Sequence, residues 1–178
     1  CRRGTRHLLE LGHRDIALLV SDRDLANVRD RIAGYRQALR EAGCAAEARV
    51  VIGGLGVEGC RAAMERELGR RDRPTAVFAA SYPATLGAIK AIRGLELAVP
   101  EDVSLLGFDD FDWMTVLRPS ISTVSQPIDA MAREAWRLLN HRFAGGGEDH
   151  AHIRLPCRLE IRESTRPPSG ALRRRKSR

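Results

Sequence analysis

The side chains in this sequence best suited to gripping a small polar molecule are two adjacent carboxylates, Asp109 and Asp110, at the end of the apolar run Val103–Phe108. An ionised carboxylate is a pure acceptor, so one of them at the mouth of a sheet can take paired hydrogen bonds from hydroxyl or amine groups. Both residues equally suit a second role, capping the short turn that follows. Arg29 and Arg31 stand two apart on an amphipathic stretch and cannot share a helix face, so only one of them can point toward those carboxylates. A planar guanidinium with five donors fits a carboxylate or diol ligand; a solvated surface arginine is the alternative.

Other patterns carry less. Gly54-Leu55-Gly56-Val57-Glu58-Gly59 spells G-x-G-x-x-G between a strand and a helix, the spacing that cradles a dinucleotide pyrophosphate. The ribose-binding acid should close the next strand, yet that strand ends Ala79-Ala80-Ser81, and the nearest acid, Asp72, precedes it. The loop therefore reads as a strand-to-helix turn, with an NAD(P)-dependent enzyme as the competing reading. Neither a G-x-S-x-G elbow nor an H-E-x-x-H helix occurs, so catalysis has no anchor. His150-x-His152 has no third ligand beside it and reads as a polar loop, and His13 reads as a helix C-terminal cap. Cys1, Cys44, Cys60 and Cys157 form no C-x-x-C pair, which suits reduced, buried or inert thiols. No metal and no cofactor is expected.

The elements that must position these residues alternate regularly. Asp15–Val20, Ala48–Ile52, Thr75–Ala80, Val103–Phe108 and Ile121–Ser125 are short runs rich in Val, Ile, Leu or Ala, as strands inside a sheet are. Between them Leu25, Val28, Ile32, Tyr35 and Leu39 recur at helical spacing, introduced by Ser21-x-x-Asp24 as a cap and stopped at Gly43. Further helices are predicted from about Val57 to Leu68, from a first turn containing Pro83 to Gly94, and after Gln126-Pro127 through Ile128, Met131, Ala135, Leu138 and Leu139. Gly145-Gly146-Gly147 then breaks the chain. Thr5–Leu11 looks like the end of a helix begun upstream, so N-terminal truncation is expected. The pattern predicts an α/β fold: a doubly wound, mostly parallel sheet with helices on both faces, its ligand loops starting near Ser21, Gly53, Ser81 and Asp109.

The 178 residues suit one domain of ordinary size. Of the formal net charge of +7, six units sit in residues 166–178 with no acid among them, so the rest of the chain carries +1. Residues 169–178 read as a disordered basic tail. With no apolar run of eighteen and no h-region at the start, neither a membrane span nor a secretory signal is visible, and a cytoplasmic protein is expected.

Ordered stretches then resemble the LacI/GalR family of transcription regulators. His7-Leu8-Leu9-Glu10-Leu11-Gly12-His13-Arg14-Asp15-Ile16-Ala17 is similar to its HL-x-x-LGH-x-x-IA segment. Arg29-x-Arg31-x-x-Gly34-Tyr35, Val99-Pro100-Glu101-Asp102-Val103-Ser104, Gly107-Phe108-Asp109-Asp110, Thr123-Val124-x-Gln126-Pro127 and Arg162-Glu163-Ser164-Thr165 follow in the family's order. The resemblance implies a sensor of periplasmic-binding-protein type, with a small-molecule effector, a sugar or other small polar metabolite, held between two lobes. Residues 1–168 would then be a partial sensor, its C-terminal lobe, with 127–144 a helix belonging to the missing N-terminal lobe. DNA would be contacted only through a helix-turn-helix head upstream.

By position, Arg31 resembles the family's effector-gripping arginine, Asp109 its effector-binding acid and Gln126 a cleft-facing residue at the crossover. Ser81-Tyr82 stands where the family has Asn-Asp, a departure that weakens the case for the commonest sugar-like effectors and favours a ligand stacking on Tyr82. A homodimer is implied as well. Its patch is placed on Pro83, Leu86, Ile89, Lys90 and Arg93 together with Phe111, Trp113 and Met114, covering the lobe's own core being the other use for that apolar loop. A solute-binding protein of a transport system is a further alternative.

Overall fold

The computed structural model describes residues 1–145 and 152–169. The helices are α1 (Arg2–Glu10), α2 (Ala26–Glu41), α3 (Val57–Leu68), α4 (Tyr82–Gly94), the short α5 (Trp113–Val116) and α6 (Ile128–Phe143). The strands are β1 (Ile16–Val20), β2 (Arg49–Ile52), β3 (Ala76–Ala79), β4 (Ser104–Phe108), β5 (Ser122–Ser125) and β6 (Arg158–Glu160). They form one sheet in the order β2-β1-β3-β4-β5-β6, parallel throughout except for β6, which pairs antiparallel with β5 through Val124 opposite Leu159.

Alternation along each strand sorts its side chains onto two faces. Ile16, Leu18, Val20, Phe78, Leu106 and Phe108 point to one side and are covered by Leu8 of α1 and by Ile32, Tyr35 and Leu39 of α2. Ala17, Leu19, Val77, Ala79 and Leu105 point to the other, under Met64 of α3, Ala88 and Ile92 of α4, and Met114 of α5. Because both faces are covered, β1, β3 and β4 are buried at every residue, which is why they read as continuous apolar runs rather than as alternating ones. The doubly wound expectation holds. β6 was missed: it is three residues long and never fully buried, so it carries neither pattern.

Helix ends correct one reading and refine two. Ser21 and Asp24 do not cap α2, whose N-cap is Leu25 with no side-chain bond; the Asp22 carboxylate instead accepts the Asp24 amide at 3.0 Å, closing a local turn. Helix α4 runs from Tyr82 to Gly94 with Pro83 in its first turn, as expected, and Ser81 Oγ accepts the Ala84 amide at 3.3 Å as its cap. His13 caps α1 with its backbone alone: Gly12 takes φ +99° and the Gly12 and His13 amides bond back to the Leu9 and Leu8 carbonyls at 3.0 and 3.1 Å. Its ring, 1% exposed, bonds elsewhere, Nδ1 to Thr75 Oγ1 at 2.8 Å and Nε2 to the Arg166 carbonyl at 2.8 Å.

Helix α6 buries none of its residues, and Ile128, Met131, Trp136, Leu139 and Phe143 are all exposed. Of the glycine break only Gly145 is described, and His150 lies outside the described residues. So does the basic tail, apart from Ser169, whose Oγ donates to the Glu101 carbonyl at 3.0 Å.

Candidate functional site

Strand β1 lies between β2 and β3, and the connections leaving β1 through α2 and β3 through α4 pass to opposite faces of the sheet, which makes the carboxyl ends of β1 and β3 the switch point where a ligand crevice belongs. Arg31, on the first turns of α2, reaches into it. Its Nη1 donates to the Ala80 carbonyl at the end of β3, and its guanidinium carbon sits 4.1 Å from the centre of the Phe108 ring, the last residue of β4. Such a stacked cation contributes roughly 0.5–2 kcal/mol and fixes the plane of the fork. Burial lowers the pKa of Arg31 from the ordinary arginine value, and the opposing charge of Asp109 works against that shift. Arg29 is exposed and donates to the Asp24 carbonyl on its own helix entry, so the choice between the two arginines falls on Arg31.

Asp109 adopts the left-handed backbone, φ +67°, which short polar residues tolerate best. Three bonds hold it there, all to β5 and the segment just beyond: its amide donates to the Val124 carbonyl at 3.0 Å, its carbonyl accepts Thr123 Oγ1 at 2.6 Å, and its Oδ1 accepts Gln126 Nε2 at 2.6 Å. The carboxylate is thereby aimed by the crossover that leads into α6. Asp110, next in sequence, turns away and forms a two-pronged ion pair with Arg162, 2.8 and 2.9 Å, which raises the pKa of that arginine. The acidic pair is thus divided: Asp109 is held by Gln126 on the side of Arg31, and Asp110, instead of capping the turn that follows, ties its loop to the segment after β6.

Arg31, Asp109 and Gln126 are therefore brought together. Ser81 borders them, with its hydroxyl engaged in capping α4. Tyr82 turns toward the loop after β4, edge-on to Phe111 at 4.9 Å and to Trp113 at 6.3 Å between centroids. Sequence reasoning missed Phe108 and the Ala80 carbonyl, the two groups that seat Arg31; a phenylalanine closing a buried strand gives no sign of what stacks on it.

The G-x-G-x-x-G loop has a different explanation. Gly54 takes φ +77°, and a Cβ on Gly59 would come within 2.3 Å of the Gly53 carbonyl, so these glycines are required by the turn and by its close approach to α3. Glu58, hydrogen-bonded by Lys90 and Arg61 at 2.6 Å each, has its pKa lowered to about 2. A permanently ionised carboxylate in the first turn of α3 opposes a phosphate there. Among the described residues no cluster of His, Cys, Asp and Glu could hold a metal ion, and no helix is long and apolar enough to cross a membrane.

Of the residues placed at a dimer patch, Pro83, Leu86, Ile89 and Trp113 are partly exposed and Lys90, Arg93 and Phe111 exposed. Met114 is fully buried among the second-face core residues and offers no free surface.

Residues 5–165 match the family described as the periplasmic binding protein-like domain. The chain belongs to that family. Among its relatives, the helix-turn-helix-type transcriptional regulator CelR of Thermobifida fusca is 36% identical over 164 residues, 92% of this chain and 48% of CelR. A LacI family regulator from Enterococcus faecium, solved with bound ribose, superposes with a TM-score of 0.85 at 28% identity, over 93% of this chain and 62% of that one. The dimeric Lac repressor superposes with a TM-score of 0.84 at 27% identity, over 94% of this chain and 61% of the repressor. The chain spans about half the length of the curated relatives it matches. In this periplasmic-binding-protein-like domain a partly buried donor fork, Arg31, and an acceptor aimed by Gln126, Asp109, lie close enough for their charges to act on one another beyond the carboxyl ends of the strands.

Proposed function

We propose that this chain is the effector-sensing part of a DNA-binding transcriptional regulator, most of the C-terminal lobe of its sensor, acting in the cytoplasm and catalysing no reaction. The observation that carries this is the meeting of Arg31, Asp109 and Gln126 at the switch point of the sheet. Arg31 supplies fixed donors and Asp109 acceptors, so together they orient a small ligand bearing both kinds of group, such as a sugar. The ribose held by the Enterococcus faecium relative supports that class. Helix α6, with Ile128, Met131, Trp136, Leu139 and Phe143 exposed and none of its residues buried, fits a helix whose packing partner is the other lobe. Effector closing two lobes onto one another would shift the population between two arrangements, and with it the spacing of two helix-turn-helix heads on an operator.

The test is a thermal-shift screen of the full-length protein against pentoses, hexoses and disaccharides, since a ligand of the native state raises its melting temperature by mass action. Arg31→Ala and Asp109→Asn should each weaken the resulting binding by roughly 1.5–3 kcal/mol, about tenfold to a hundredfold, without unfolding the protein. Folded variants that bind like wild type would remove these residues from the site.

A further inference from the structure

Beside the C-terminal half of α4 a cavity of about 290 Å³ opens between that helix, the loop 97–99 and the segment that enters β5. Its floor is the second-face core itself. Ile92, Leu105 and Ile121, each at most 3% exposed, line it together with the partly buried Leu97 and Leu117. Leu105 is the second residue of β4 and Ile121 immediately precedes β5, so the cavity lies at the amino ends of these strands, whereas Asp109 follows the carboxyl end of β4. The effector crevice is thus a strand's length away. Arg93, in the last turn of α4, and Arg118 complete the lining, and both are exposed. Among the described residues neither guanidinium forms an ion pair; Arg118 Nη1 donates to the adjacent Leu117 carbonyl at 3.0 Å. The acid whose charge reaches Arg118, Glu163, is taken by the Ser120 amide and hydroxyl at 2.7 and 2.9 Å.

We propose that this cavity is a second ligand site, for a small amphipathic carboxylate carrying a short alkyl chain or a single ring. The apolar walls take up the hydrocarbon, whose transfer out of water is favourable in proportion to the area covered. The two arginines at the rim supply donors of opposite charge to the carboxylate oxygens. No carboxylate, amide or hydroxyl side chain lines the cavity, so a sugar would leave its hydroxyls unpaired there. A cationic ligand would meet two like charges and no acid. The volume stands near the roughly 300 Å³ at which small-molecule pockets begin, which suits a ligand of few atoms. Ile89 also lines the cavity, and it and Arg93 belong to the patch placed at the dimer seam, so the ligand would act beside that seam rather than between the lobes. This goes beyond effector sensing and does not depend on which effector fills the crevice.

The experiment is isothermal titration calorimetry of the full-length protein with hexanoate, and with acetate, 1-hexanol and hexylamine as controls. The expected result is saturable binding of hexanoate. Acetate should bind more than about tenfold more weakly, because it leaves the apolar walls uncovered. The uncharged 1-hexanol should be weaker by about tenfold, and hexylamine should not bind. Arg93→Ser and Arg118→Ser should each weaken hexanoate roughly fivefold to tenfold while keeping the wild-type circular dichroism spectrum, since both side chains are exposed. Arg31→Ala should leave hexanoate affinity as it is, which separates this site from the crevice and keeps its outcome apart from that of the effector screen. Absence of saturable hexanoate binding, equal binding of hexanoate and 1-hexanol, arginine variants that bind like wild type, or loss of binding in Arg31→Ala would each overturn the proposal.

Discussion

His13 is tied to two loops and a distant carbonyl by one ring, and the hydrogen-bond directions fix its protonation. The Arg166 carbonyl can only accept, so Nε2 carries the proton, and Nδ1 accepts from Thr75 Oγ1. Charging the ring would force the Thr75 hydroxyl to turn toward the Asp15 carbonyl, 3.1 Å away. Burial lowers the pKa of His13, with the neighbouring His7 adding to the shift and the Arg166 carbonyl opposing it; burial lowers His7 likewise. Above the unfolded value of about 6.5 the ring is neutral in both states and its contribution is complete. As pH falls through that value the unfolded chain takes up the proton first, so stability is lost until the folded pKa is reached. The expected outcome is a urea midpoint that drops between about pH 7.5 and about pH 5.5 in wild type, and drops less in His13→Gln from a lower starting point. Equal drops in the two proteins would assign the acid sensitivity to other groups.

Between elements, the tightest contact is that of α3 with α4. A Cβ on Gly87 of α4 would lie 2.6 Å from Cys60 Cβ and 2.8 Å from the Val57 carbonyl, and neither backbone nor a Cβ can step aside as a side-chain tip can. Both helices are clamped on the sheet by Met64, Ala88, Ala91 and Ile92, so separating them also uncovers Val77 and Leu105. Gly87→Val should destabilise by about 1–3 kcal/mol or more, the usual range for overpacking. In a domain of this size that is roughly 2–4 °C of melting temperature per kcal/mol, read by circular dichroism. A variant melting with wild type would mean that the two helices are free to move apart. Helix α6 is the opposite case, an amphipathic helix none of whose apolar side chains is fully buried among the described residues.

At the scale of the whole molecule the loop after β4 presents apolar side chains to the surface. Phe111 is 41% exposed and Val116 75%, and Phe111 lies edge-on to Tyr82 at the start of α4. A two-fold dimer matching two operator half-sites would bury such a patch against its own copy. In the full-length protein Phe111→Asp and Val116→Asp should shift sedimentation from dimer toward monomer while the fold persists. Met114→Ala, which empties a core position, should instead cost about 2–5 kcal/mol of stability, the range for large-to-small core changes. Unchanged dimers in both aspartate variants would place the self-association surface elsewhere.

The layering of the fold was readable from sequence because buried parallel strands and amphipathic helices carry their burial in their spacing. All five parallel strands, and helices such as Val57–Leu68, fall where that spacing puts them. Strand β6 escaped because an edge strand of three residues has too few positions to show a period. Arg31 and Asp109 could be named as candidates from residue type and position alone. That Arg29 is solvated while Arg31 lies on Phe108, and that Asp110 is consumed by Arg162 while Gln126 aims Asp109, was decided only by tertiary structure. Side-chain spacing along one element is a local property, whereas each of these partners comes from a different element and meets its residue only once the sheet has assembled.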